Sequence, residues 1–166
     1  VQGNFGEGGG VQDLGSIATY QQFDDLIRDR DIDLIDICLP SPMHAATTIA
    51  ALEAGKHVLV EKPIALSVED ADRMIAAARS TGRLLMVAHV LRFVPQWAFI
   101  RQAMDGRFGR LLTLSIERII TSPDWSKDVA DLKANGGPLI DLHILAVGHV
   151  EHQASHCITR QLLRPL

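Results

Sequence analysis

The sequence has little of what marks several protein classes. Its 166 residues include two cysteines, Cys38 and Cys157, which form no C-x-x-C pair and are too sparse for a secreted disulfide scaffold. This scarcity favours a reducing compartment, and we expect a cytoplasmic protein. Apolar runs of the length needed to cross a bilayer are also missing from the sequence, so we expect no membrane partner.

Positive charge is not in excess either. The chain has 16 Lys and Arg against 20 Asp and Glu, for a formal net charge of -4, and the charges are spread along its length. A basic stripe that would follow a phosphate backbone is lacking, so nucleic acid is not an expected partner. What the chain does have is 47% hydrophobic residues, which is enough for a globular core.

The first part of the chain alternates between helical and strand patterns. Six of the 13 glycines lie in residues 1–16, where we expect a loop or an exposed tail. After it, the periodicity predicts a short helix at Phe23–Ile27, a strand at Ile32–Leu39, a helix at Met43–Ala54, a strand at His57–Val60, a helix from the Ser67 cap to Gly82, and a strand at Leu84–Ala88. This order is typical of a parallel α/β sheet built from βαβ units.

A change of pattern near Arg92 suggests a second domain. We expect a helix at Pro95–Met104, a half-exposed strand at Arg110–Ile120, a charged loop, and a last helix at 136–150. The predicted fold is therefore α/β, with a partial Rossmann-like parallel sheet in residues 1–92 and the start of a second α/β domain with an open sheet in residues 93–166. The second unit is expected to be incomplete, since one strand and one helix cannot bury a sheet.

The most informative motif runs from Ala54 to Pro63. It puts Glu61 and Lys62 directly after a buried strand, and in open α/β sheets ligands bind beyond the carboxyl ends of the strands. A lysine there can bind a substrate hydroxyl or lend it a proton. The alternative is an ordinary surface Lys-Glu pair at a strand end, and spacing alone leaves both readings open.

Four segments together resemble the Gfo/Idh/MocA oxidoreductase family. They are Pro42-Met43-His44, the Gly55-Lys56-His57 and Glu61-Lys62-Pro63 run, His89–Phe93, and Gly136–His143, and the resemblance extends from about Tyr20 to about Ile144. It implies an NAD- or NADP-dependent oxidoreductase that acts on the hydroxyl of a sugar, cyclitol or polyol. It also implies that the parent enzyme is a homo-oligomer.

The resemblance assigns roles to individual residues. Lys62 would be the catalytic lysine that holds the reacting hydroxyl, Glu61 would contact the ribose next to the nicotinamide, and the Lys62-Pro63 peptide would be cis. Cofactor-binding positions would be Pro40, Ser41, His44, Glu61, Lys62, Pro63 and Arg92. For His44 the alternative is a plain helix-start residue, and for Arg92 it is an arginine at a helix start that pairs with a nearby acid.

The chain departs from the family near its end. Asp141 matches the acid that flanks the family's catalytic histidine, but that histidine would stand four residues later, where this chain has Leu145. His143 lies about 200° around the helix from Asp141 and cannot replace it. Asp141 thus remains a catalytic candidate, while the main acid/base residue is missing.

Two other patterns give weaker signals. Gly6–Gly10 imitates a G-x-G-x-x-G phosphate loop but follows no strand, so we expect the first βαβ unit, with its pyrophosphate site, to precede this chain. His149, His152, His156 and Cys157 share a helical face in principle, but with no carboxylate to complete a zinc site we expect solvated histidines in a frayed tail and no metal. The alternative to an active NAD- or NADP-dependent oxidoreductase is therefore that the chain is a non-catalytic fragment or gene remnant of such an enzyme, without competent cofactor binding.

Overall fold

The computed structural model describes residues 15, 17–107, 113–121 and 156–164. Its helices are α1 (Phe23–Arg28), α2 (His44–Glu53), α3 (Val68–Thr81) and α4 (Pro95–Gly106), with short 3-10 helices at Ser41–Met43 and Val90–Phe93. Its strands are β1 (Leu34–Ile37), β2 (His57–Val60), β3 (Leu85–Val87), β4 (Thr113–Thr121) and β5 (His156–Arg164).

The first three strands form one parallel sheet in the order β1-β2-β3. Leu34 pairs with His57 at the start of β1, and Val58 pairs with Leu85 at the start of β3. A parallel sheet with intervening helices is the α/β architecture predicted from the sequence, which is therefore confirmed. All three strands end at the same edge of the sheet, here called the carboxyl edge.

The core lies between this sheet and helices α2 and α3. Side chains alternate along a strand, so Ile35 and Ile37 of β1 bury one face while Leu34 of the same strand is 56% exposed. On the buried face these isoleucines join Val58, Val60, Ala51, Leu52 and Met74 in a single hydrophobic cluster. Burial on this scale, roughly 1.5–3 kcal/mol per large side chain, is what fixes the two helices on the sheet.

Helix α3 begins and ends where its sequence predicts. The Ser67 hydroxyl accepts a hydrogen bond from the Asp70 backbone N–H at 3.1 Å, which satisfies one of the N–H groups left open in the first turn. Gly82 follows the last turn with φ of 65°, a left-handed conformation that costs glycine little. These two residues fix the length of α3, and with it the start of β3.

Some predicted boundaries were wrong by a few residues. Strand β1 stops at Ile37 and not at Leu39, because the chain turns through Pro40 into the 3-10 helix at Ser41–Met43. Strand β3 is also shorter than predicted, and a 3-10 helix at Val90–Phe93 follows it. Both 3-10 helices are too short to leave a periodic pattern in the sequence.

The second sheet confirms one prediction and corrects another. Strand β4 was expected, and it pairs in parallel with β5, with Thr113 opposite His156. The prediction of a frayed tail was wrong at His156 and Cys157, since both lie in β5, where helical spacing does not apply. Pairing with a strand so distant in sequence leaves no local signal. The glycine-rich stretch 6–10, helix 136–150 with Asp141, His143 and Leu145, and residues 149 and 152 lie outside the described residues.

Candidate active site

Backbone hydrogen bonds also join neighbouring segments just beyond the carboxyl edge of the sheet. The Glu61 N–H donates to the Ile37 carbonyl oxygen at 3.0 Å, and the Ala88 N–H donates to the Val60 carbonyl oxygen at 2.8 Å. The segments that follow β1, β2 and β3 therefore start side by side. Every residue that immediately follows these strands is brought to one place.

The segment after β2 has a fixed backbone. The Lys62-Pro63 peptide is cis, as the family resemblance implied. The Lys62 backbone N–H donates to Oε2 of Glu61 at 3.2 Å, so the Glu61 carboxylate is directed toward the backbone of its neighbour. Pro63 is buried, whereas Lys62 is half-buried. The Lys62 side chain thus starts from a constrained backbone at the edge of the sheet.

His44 lies beneath this segment as the first residue of α2. Only 1% of it is exposed. Its Nδ1 lies 2.8 Å from the Pro63 carbonyl oxygen, and its Nε2 lies 2.7 Å from the Leu39 carbonyl oxygen. The imidazole therefore joins the segment after β1 to the segment after β2, and His44 also begins α2, which is the position that the alternative interpretation gave it.

The remaining sequence-predicted residues follow β1 and β3. Pro40 is exposed and accepts a hydrogen bond from the Met43 N–H at 2.9 Å, while Ser41 is half-buried. Arg92 is exposed on the 3-10 helix after β3, where its backbone N–H donates to the His89 carbonyl oxygen at 3.0 Å. All the predicted positions except Asp141, which lies outside the described residues, are thus on segments that leave the carboxyl edge.

Two residues carry features that sequence reasoning missed, Cys38 beside the site and Lys56 at the opposite end of β2. Cys38 is exposed just past β1, and partial burial of its thiol raises its pKa, with Asp36 and Glu61 adding to the effect through their negative charge. Lys56 is 7% exposed, and its ammonium group donates to the carbonyl oxygens of Asp29 and Ile32, the latter at 2.7 Å. The only available signal for Lys56 was its place between Gly55 and a strand.

The side chains at this edge could bind a polar ligand that carries hydroxyl groups and negative charge. A carboxylate at Glu61 can accept hydrogen bonds from ribose hydroxyls, while Ser41 can donate to or accept from a polar ligand. Lys62 and Arg92 supply positive charge and several N–H donors. No cluster of three or more His, Cys, Asp or Glu that could hold a metal ion is found among the described residues. Within the same part of the chain, none of the helices combines the length and apolarity of a membrane span.

Comparison with known proteins gives consistent results. Residues 11–89 match the family model described as an oxidoreductase family with an NAD-binding Rossmann fold. The chain is 33% identical to 1,5-anhydro-D-fructose reductase of Ensifer adhaerens over 126 residues, which cover 73% of this chain and 37% of that protein.

Two solved structures have folds similar to that of this chain. The WlbA dehydrogenase of Bordetella pertussis, in complex with NADH and UDP-GlcNAcA, has a TM-score of 0.73 and 26% identity over 81% of this chain and 40% of its own. A 3-ketoreductase of Actinomadura kijaniata, in complex with NADP and TDP-benzene, has a TM-score of 0.67 and 29% identity over 78% of this chain and 41% of its own. The chain spans less than half the length of these relatives.

Proposed function

We propose a function from one premise: the chain belongs to the Gfo/Idh/MocA family of NAD-binding oxidoreductases. The proposed activity of the protein is oxidation of a hydroxyl group on a sugar, cyclitol or polyol, or the reverse reduction, with NAD or NADP. One observation carries the proposal. Lys62 follows β2 on a backbone whose N–H donates to the Glu61 carboxylate, at the edge where Arg92 and Ser41 also lie.

The dinucleotide, when bound, supplies the two-electron acceptor for the alcohol carbon. In the proposed mechanism, Lys62 would hold the reacting hydroxyl through its ammonium group and stabilise the negative charge that develops on oxygen as the hydroxyl proton passes to a water molecule. Glu61 would accept hydrogen bonds from the ribose next to the nicotinamide. Arg92 would contribute to binding the nicotinamide and the substrate, and Pro40, Ser41, His44 and Pro63 are the other residues proposed to help hold the cofactor.

Asp141 is proposed to orient the reacting hydroxyl from the second domain. Its family partner, a histidine four residues later, is replaced by Leu145 in this chain. General acid/base catalysis contributes typically about 10²–10⁴-fold in rate, so we expect slow turnover. In a protein that carries the first βαβ unit, Leu145→His should raise the rate, because residues four apart project to the same side of a helix.

The test is a turnover assay of the protein with NAD and NADP against a panel of sugars, cyclitols and polyols, followed by absorbance of the reduced cofactor. Lys62→Ala should lower kcat/KM about 10²-fold or more, in the range lost when a group that stabilises a developing oxyanion is removed. Arg73→Ala is the matched control, since Arg73 is an exposed cation on α3 that pairs with Asp70.

Absence of turnover with either cofactor and every substrate would contradict the enzymatic proposal and favour the non-catalytic alternative. Equal rates for Lys62→Ala and Arg73→Ala would remove Lys62 from the mechanism. The sugar-related name of the Ensifer adhaerens relative and the nucleotide-sugar ligand of the Bordetella pertussis enzyme support the substrate class. The cytoplasmic location and the homo-oligomeric parent stay predictions.

A further inference from the structure

We propose that His44 is a positioning residue that fixes the backbone of Lys62 through the carbonyl group of Pro63. The inference rests on the proposed function for its catalytic meaning, although the contacts that support it are independent of that function. In this role His44 borders the cofactor site from below and acts through its neighbours. With 1% of its surface exposed, it has almost no area left for a ligand.

The two carbonyl groups that His44 contacts belong to different segments of the carboxyl edge. Leu39 follows β1, whereas Pro63 follows β2, and the ring nitrogens lie 2.7 and 2.8 Å from their respective oxygens. Such distances are those of good hydrogen bonds. The imidazole therefore sets the separation between the two segments at a point where the sheet itself has already ended.

Because His44 is buried, its polar contacts matter for stability. A buried carbonyl oxygen without a partner is costly, and His44 removes that cost for a carbonyl group to which one of its ring N–H groups donates. A neutral imidazole has one N–H and donates to one carbonyl group, while an imidazolium donates to both. The Nδ1 contact is the one that reaches the lysine segment, because Pro63 is covalently joined to Lys62.

Lys62 is thereby held from two directions. Its own N–H donates to the Glu61 carboxylate at 3.2 Å, and the next residue is held by His44 at 2.8 Å. Residues that carry a reacting group need such support, since small displacements of a catalytic side chain reduce its effectiveness. Loss of the Nδ1 contact should therefore loosen the base of the Lys62 side chain without unfolding the sheet.

Two conservative substitutions separate the contacts of His44. The amide nitrogen of an asparagine reaches about where Nδ1 lies, so His44→Asn retains a donor for Pro63; the longer glutamine reaches about where Nε2 lies, so His44→Gln retains one for Leu39. The readout is the rate at which a succinimidyl ester acylates Lys62 in the full chain without cofactor, measured by mass spectrometry of peptides. Lys56, which is buried at the other end of β2, reports on global opening in the same digest.

We expect His44→Gln to raise the Lys62 rate about threefold or more while the Lys56 rate is unchanged, and His44→Asn to stay within about twofold of the wild type, since local opening exposes one segment only. Equal Lys62 rates in both variants would overturn the proposal, as would parallel increases at Lys62 and Lys56. Neither result depends on turnover, so the failure of this inference and the failure of the proposed function are distinguishable.

A measurement on the wild-type chain covers the case in which a variant does not fold. Nitrogen-15 NMR of the imidazole should show a proton on Nδ1 of His44 that exchanges slowly with solvent. A ring protonated at Nε2 alone would mean that Nδ1 does not donate to Pro63, and it would overturn the proposal.

Discussion

Two lysines at opposite ends of strand β2 have very different surroundings. Lys56 precedes the strand and is 7% exposed, with its ammonium group donating to the backbone carbonyl groups of Asp29 and Ile32. Lys62 follows the strand and is half-buried at the carboxyl edge. The first lysine fastens the chain before β1 to the start of β2, while the second stands on a segment fastened by other residues. The lysine that stabilises the fold and the lysine proposed to act in chemistry thus lie at opposite ends of one strand.

The largest expected effect comes from removing the buried cation. Lys56→Met keeps the apolar stem but leaves the carbonyl groups of Asp29 and Ile32 without their donor, and hydrogen bonds to charged groups contribute about 1.5–3 kcal/mol each. With two such hydrogen bonds lost, we expect the free energy of unfolding to fall by about 3 kcal/mol or more in urea titration. Lys62→Met is the matched control, with an expected loss below about 1 kcal/mol. If both variants lost the same stability, the contrast between the two lysines would be wrong.

A smaller effect should appear in the pH dependence of stability at the Lys56 end. The Tyr20 hydroxyl donates to the Asp29 carboxylate, which lowers the pKa of Asp29, with the Asp31 N–H adding to the shift, and the same hydrogen bond raises the pKa of Tyr20. A lowered acid pKa stabilises the fold above the unfolded value near pH of about 4, and this stability is lost as pH falls through the folded pKa. The raised pKa of Tyr20 stabilises the fold below the unfolded value near pH of about 10, and this stability is lost as pH rises through the folded pKa.

Tyr20→Phe removes both contributions at once. Its unfolding free energy should therefore lie below that of the wild type at neutral pH, and the two should converge toward acidic and strongly alkaline pH. Thermal unfolding across pH measures this directly. A difference that stayed constant at every pH would mean that Tyr20 contributes by packing and not through its hydrogen bond.

The smallest effect is expected at the carboxyl edge, in the reactivity of Cys38. Partial burial raises the pKa of its thiol, and the nearby charges of Asp36 and Glu61 raise it further. Because the thiolate is the reactive form, iodoacetamide should modify Cys38 slowly at neutral pH for an exposed cysteine. Asp36→Asn should accelerate the reaction about two- to threefold. Glu53→Gln, an exposed acid on α2, is the control, and an equal acceleration there would exclude a local charge effect.

Local patterns predicted most of the first sheet. The strand that contains Ile35 and Ile37, the helix start at the Ser67 cap and the helix end at Gly82 are determined by neighbours in sequence, and the structure agrees with each. Strand β5 was missed because its partner β4 is distant in sequence, and the hydrogen bonds that define it leave no periodicity of their own.

The site was predicted in position but not in detail. The order of strands and helices was enough to bring Lys62 and His44 to the carboxyl edge. It could not show that His44 contacts the carbonyl groups of Leu39 and Pro63, because backbone acceptors are present in every residue and carry no sequence signature. The buried position of Lys56 was hidden for the same reason.

The backbone hydrogen bond from Glu61 to Ile37 has a consequence for how this edge could change over time. It holds position 61 in line with the sheet through main-chain atoms alone, at 3.0 Å, whatever side chain the residue carries. Different side chains can therefore be substituted at position 61 while the strands keep their register. Selection or design could alter the polarity presented there by a single substitution, without first having to rebuild the scaffold that presents it.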